Sequence, residues 1–150
     1  MSRLRIDKED VVATLYLSDG STLHGSLFLS RFSATRAGPQ GVDELLAESC
    51  HSLPFATAEG RFLLVGTPSV AAVEVSDSDR LPQGFWTRLP VNLRLAGHHH
   101  LHGALLAEEG KGGRISDAVN APGAWLTLDA GGRLIWVSKA HLVTLEPERG

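Results

Sequence analysis

The chain has 150 residues, 43% hydrophobic and 21% charged, with a formal net charge of -3, a globular composition and enough length for one ordinary domain or two small ones. Residues 1–75 carry six Lys or Arg against nine Asp or Glu, and residues 76–150 carry eight against eight, so neither half has the basic excess that phosphate-driven nucleic-acid binding needs. A single cysteine, Cys50, excludes an intrachain disulfide and a cysteine-based zinc site.

In chain order, the first ten residues alternate charges without an apolar core, unlike a signal peptide. Val11, Ala13, Leu15 and Leu17, then Leu23, Leu27 and Leu29, occupy odd positions with Thr14, Tyr16, His24 and Ser26 between them; this period of two marks half-buried strands. A three-residue loop, Asp19-Gly20-Ser21, is expected to set Leu17 opposite Leu23. A helical turn over 42–48 follows, then strands over 53–57, 61–65 and 70–75. Residues 76–89 read as a linker, with Phe85 and Trp86 docking on the body. The second half repeats the plan: a hairpin with loop Gly97-His98-His99 and Leu95 opposite Leu101, and a Gly-rich loop over 108–114 that lacks a phosphate-loop pattern. A helical turn over 116–120 is capped by Ser116 and favoured by Asp117, and strands over 125–129, 133–138 and 142–146 complete it. Cys50 reads as a small buried residue rather than a nucleophile paired with His51, because strand neighbours point apart.

The decisive feature is internal similarity, which must be sought before any fold is assigned. Leu15, Leu17, Leu23-His24-Gly25 and Leu27 meet Leu93, Leu95, Leu101-His102-Gly103 and Leu105 at an offset of 78. Gly60-Arg61 to Val65 meets Gly132-Arg133 to Val137, and Glu74 meets Glu146, at an offset of 72. The change of offset places about six extra residues around 33–40, where a loop absorbs them. The organisation predicted is a first repeat over 1–75, a linker over 76–89 and a second repeat over 90–150. The fold class is mainly β: two tandem five-stranded antiparallel small β-barrels of the SH3 or Sm kind, each with one short helical turn.

The segment Arg114-Ile115-Ser116-Asp117-Ala118-Val119-Asn120, followed by Trp125-Leu126-Thr127-Leu128 and Val137-Ser138-Lys139-Ala140-His141-Leu142, resembles an uncharacterised bacterial small-barrel family with an R-x-S-D-x-L-N signature. The resemblance covers about residues 91–147 and implies an Sm-type barrel but no activity. The first repeat departs from it, with Asp43-Glu44 in place of Ser-Asp and Thr67-Pro68 in place of Lys139-Ala140.

The fourth strands, Phe62 to Val65 and Leu134 to Val137, are apolar without alternation. A strand apolar on both sides is covered on both sides, so Phe62, Leu64, Leu134 and Trp136 are candidate interface residues. Arg94, His102, Ser116, Asp117 and Asn120 are candidate ligand or partner contacts. His100 and His102 share a strand face and form a weak metal candidate, opposed by an Arg94 expected opposite His102; no metal and no cofactor are assigned. The expectation is a cytoplasmic, non-enzymatic binding or assembly module acting at strand edges on a protein partner or on itself, with no membrane association. An RNA- or small-ligand-binding module, using Arg94, Arg133, Lys139 and His102 on one face, is the alternative.

Overall fold

Period-two patterning gives strands wherever one face is buried. In the computed structural model, which describes residues 8–30, 40–48, 51–76, 85–110 and 113–148, Val11, Ala13 and Leu15 of β1 (Lys8–Leu17) are buried while Val12 between them is 70% exposed. The chain continues through β2 (Thr22–Ser30), α1 (Val42–Glu48), β3 (Ser52–Thr57), β4 (Phe62–Gly66) and β5 (Val70–Val75). The second half holds β6 (Trp86–Leu95), β7 (His99–Glu108), α2 (Ile115–Val119), β8 (Trp125–Asp129), β9 (Leu134–Ser138) and β10 (Leu142–Pro147). Short 3-10 turns, Thr67–Ser69 and Lys139–His141, lead into β5 and β10. The expectations placed on 33–39, Cys50, 77–84 and 111–112 lie outside the described residues.

The protein is mainly β, and the ten strands among the described residues form one antiparallel sheet in the order β10-β6-β7-β8-β9-β5-β1-β2-β3-β4. Within each half the order is the same: fifth, first, second, third, fourth. The ladders do not stop between the halves, because β9 pairs antiparallel with β5. In place of two separately closed barrels there is one open sheet whose ends are β4 and β10.

Among the described residues there are two hydrophobic clusters, and each borrows from the other half. The first, around Leu15, Leu27, Leu29, Phe55 and Val73, takes in Leu134 and Trp136 from β9. The second, around Val91, Leu93, Leu105 and Leu128, takes in Ala71 and Ala72 from β5. Every residue of β9 is buried, which is why its sequence carries no alternation.

Several local expectations are corrected. Both hairpin loops have three residues but lie one position earlier than expected: Leu15 pairs with Leu23 and Leu93 with Leu101. The shift puts a left-handed residue last in each loop, as three-residue hairpin loops require: Gly20 with φ 96° in the first and His98 with φ 62° in the second. Parity survives, so the same residues face inward. Arg94 therefore stands opposite His100, and His102 opposite Asn92. β6 already begins at Trp86, and Phe85 is 81% exposed instead of docked. Helix α2 starts at Ile115 with Arg114 at its N-cap and no side-chain cap bond, so Ser116 is not the cap. Asp117 instead pairs with Arg114.

Candidate protein–protein interface

The β5–β9 junction shows how one fourth strand is covered. Val73 lies opposite Trp136 and Val75 opposite Leu134, and the two side chains from β9 are 1% and 2% exposed. Around this seam the Tyr16 hydroxyl donates to Glu74 Oε1 at 2.7 Å and Arg133 Nη1 donates to Glu74 Oε2 at 2.8 Å. Burial, then the hydrogen bond and charge of Glu74, push the Tyr16 phenol up to about 12. The hairpin turns also touch. His99 Nε2 donates to the Leu17 carbonyl at 2.7 Å, and its ring meets Tyr16 edge-on at 5.3 Å. A Cβ on Gly97 would stand 2.7 Å from the Leu17 oxygen. The two 3-10 turns are joined by His141 Nε2 donating to the Pro68 carbonyl at 2.6 Å.

Because the native phenol keeps its proton to higher pH than the ordinary value near 10, the folded state binds more protons between about pH 10 and 12. The contribution of Tyr16 is complete below that window and is lost as pH rises through it. Tyr16→Phe is expected to cost about 1 kcal/mol at neutral pH and to flatten the alkaline fall in stability. Denaturant titrations at a series of pH values check both effects; an unchanged alkaline slope would refute the assignment.

The sheet ends are different. On β4, Phe62 and Leu64 are 63% and 65% exposed, and the Phe28 ring lies beside Phe62, at 6.3 Å. The Thr57 N–H donates to the Arg61 carbonyl and the Thr67 N–H to the His51 carbonyl. Backbone groups alternate in direction along an antiparallel strand, so Phe62, Leu64 and Gly66 turn theirs away from β3. On β10, the Glu148 N–H donates to the Pro90 carbonyl, so Leu145 and Pro147, beyond the bulge at Leu142–Thr144, turn theirs outward. Val143 is 56% exposed, and Leu142 and Leu145 are half-buried. Exposed apolar edges of this kind pair readily with other strands.

Of the sequence-derived candidates, Leu134 and Trp136 meet β5, whereas Phe62 and Leu64 lie at the opposite end of the sheet. Arg94 and His102 are exposed on β6 and β7, Ser116 and Asn120 are exposed and Asp117 is half-buried at α2; the Asn120 backbone N–H closes that helix onto Ser116. His100 and His102 border an open cleft of about 450 Å³ with Tyr16, Glu74, Asp129 and Arg133. Among the described residues no group of three or more His, Cys, Asp or Glu side chains could hold a metal ion, and no helix is long and apolar enough to cross a membrane. The Tyr16–Glu74–Arg133 cluster and the two cross-half histidines carry no sequence signal, since their partners are 58 to 82 positions away. Glu74 alone gave a hint, as a carboxylate within an otherwise apolar strand. No protein-family model, curated protein or solved structure matches the chain.

Proposed function

We propose that this protein is a non-enzymatic binding and assembly module, made of two copies of one five-stranded, small-barrel-like unit, that acts through protein–protein contacts at its strand edges. The observation that carries the reading is the contrast between its two fourth strands. Leu134 and Trp136 are buried where another strand lies beside β9, and their counterparts Phe62 and Leu64 are exposed at the end of the sheet. The shared strand order of the halves and the residue matches at offsets of 78 and 72 support the duplication. The resemblance of the second half to a small-barrel family belongs to this reading and assigns it no activity.

The RNA- or small-ligand alternative draws less support, because its cations are engaged. Arg133 is paired with Glu74 and the Lys139 ammonium donates to the Ala121 carbonyl, and elsewhere Arg88 is paired with Asp129. Among the described residues, only Arg94 and His102 of that set stay exposed without such a bond. Labelled RNA is expected to show no salt-sensitive shift with the protein.

Affinity capture from native cell extract tests the main reading, comparing the wild-type chain with Leu64→Lys. The substitution adds a charge to an exposed edge residue, a known way of blocking strand addition, and leaves the core intact. Chains retained by the wild type, whether foreign or further copies of this one, should be lost from the variant. Identical captured sets would overturn the proposal.

A further inference from the structure

We infer that the two free ends of the sheet fit each other: β10 of one chain pairs antiparallel with β4 of a second copy, repeating between chains the β5–β9 junction found within one. This rests on the reading of the chain as two copies of one edge-pairing unit, and it names the partner.

The first support is burial at equivalent positions. At an offset of 72, Phe62 and Leu64 correspond to Leu134 and Trp136, and Leu142 and Leu145 of β10 correspond to Val70 and Val73 of β5. Within the chain, Leu134 and Trp136 are 2% and 1% exposed and Val70 and Val73 are 1% and 0% exposed. At the ends of the sheet, Phe62 and Leu64 are 63% and 65% exposed, and Leu142 and Leu145 are half-buried. The cores differ in the same sense. Helix α1 buries Val42 and Leu46, whereas α2 buries no residue. Among the described residues the first core takes Leu134 and Trp136 from the other half's fourth strand, β9, and the second takes no side chain from β4. Each end therefore lacks what the other offers.

The second support is charge. Across the internal junction Arg133 holds Glu74 at 2.8 Å. The same offset turns this pair into Arg61 and Glu146, which stand at opposite ends of the sheet, both exposed. Arg94 takes the place of Tyr16 at an offset of 78. Among the described residues the side chains of Arg61, Arg94 and Glu146 have no ion pair or hydrogen bond. Docking β10 onto β4 of another copy brings Glu146 and Arg94 of the first chain to Arg61 of the second, restoring the three-group cluster.

The register follows from the internal one, in which Val73 faces Trp136 and Val75 faces Leu134. Leu145 then faces Leu64, and Pro147 faces Phe62. The outward groups of these residues are the ones turned away from β6 and β3. Pro147 has no N–H, so the ladder ends one bond sooner than inside the chain. The contact is head-to-tail, and such contacts either close into a ring or run on as a filament. A closed ring holds an even number of units, because each chain brings two.

Light scattering on the purified full-length chain over a concentration series, with circular dichroism to confirm folding of each variant, tests the inference. The wild type is expected to have a mass of two or more chains. Arg61→Glu and Glu146→Arg each place like charges together and are expected to weaken association about tenfold or more. An equimolar mixture of these two variants restores an opposite pair at every junction and should recover the wild-type mass, as should the double variant. Leu64→Lys should give monomers. Wild type that stays monomeric overturns the inference, and so does association lost in Leu64→Lys but unaffected by Glu146→Arg, which would signify symmetric pairing of β4 strands. If the chain is monomeric but a foreign protein is still captured in a Leu64-dependent way, this inference alone fails. If neither association nor capture depends on Leu64, the edge reading fails with it.

Discussion

Trp136→Ala is expected to destabilise the protein by about 3–5 kcal/mol, the range for removing a large buried aromatic side chain, out of the roughly 5–15 kcal/mol typical of a folded domain. Trp136 is 1% exposed, sits on β9 and packs into the first core, so its removal empties a cavity at the seam that unites the two halves. Its indole N–H is buried and has no hydrogen-bond partner among the described residues, and an unsatisfied buried donor itself costs about 1–3 kcal/mol. Trp136→Phe keeps most of the ring and removes that donor, so its loss should stay below about 1.5 kcal/mol. Equilibrium denaturation of both variants checks the pair of values. A loss under about 1 kcal/mol for Trp136→Ala would show that the halves do not depend on this side chain.

Gly25→Ala should be the most damaging single-methyl change, at about 3 kcal/mol or more, the upper end of overpacking effects. A Cβ at Gly25 would stand 1.9 Å from the Ala56 carbonyl oxygen and 2.9 Å from the Phe55 ring. The obstacle is backbone of β3, which is held to β2 by the pairs Gly25–Thr57, Ser26–Ala56 and Leu27–Phe55, so relief requires breaking that ladder. The corresponding Gly103 meets the Asp129 carbonyl at 2.8 Å, and Gly103→Ala should cost less, about 1–3 kcal/mol. Among the described residues nothing lies within 4 Å of where a Cβ on Gly113 would stand, and Gly113→Ala should be close to neutral. Thermal unfolding of the three variants gives the order directly; equal effects at Gly25 and Gly113 would refute the close approach of β2 and β3.

These glycines also show how far sequence reading carried. Gly25 and Gly103 were visible as a matched pair in matched Leu-His-Gly steps, but nothing local announced that a strand would lie against them. The hairpin loops had the expected length and the wrong position by one residue. Apolar parity is indifferent to a shift of two in register, and the left-handed third residue of each loop, Gly20 and His98, goes with the register the structure adopts. The helical turn over 42–48 and the strands over 70–75 and 125–129 were legible because periodicity and turn residues agree there. At α2 a serine suggested a cap, whereas the helix begins one residue earlier and uses the Arg114–Asp117 pair.

By itself the sequence determined that this is a mainly β protein, and which side chains the alternating strands turn inward, since alternation of polarity is a local property of strands. It also led to the expectation that both fourth strands are covered, because neither face of Phe62 to Val65 or Leu134 to Val137 is polar; β9 is, and Phe62 and Leu64 of β4 are exposed. What it left open was the identity of the cover. Only the tertiary structure decided that β9 is covered by β5 while β4 is left at an edge, and that Tyr16, Glu74 and Arg133 meet. Ladder pairing and ion pairing join residues far apart in the chain, and the free energy that selects them depends on how the whole sheet packs around its cores.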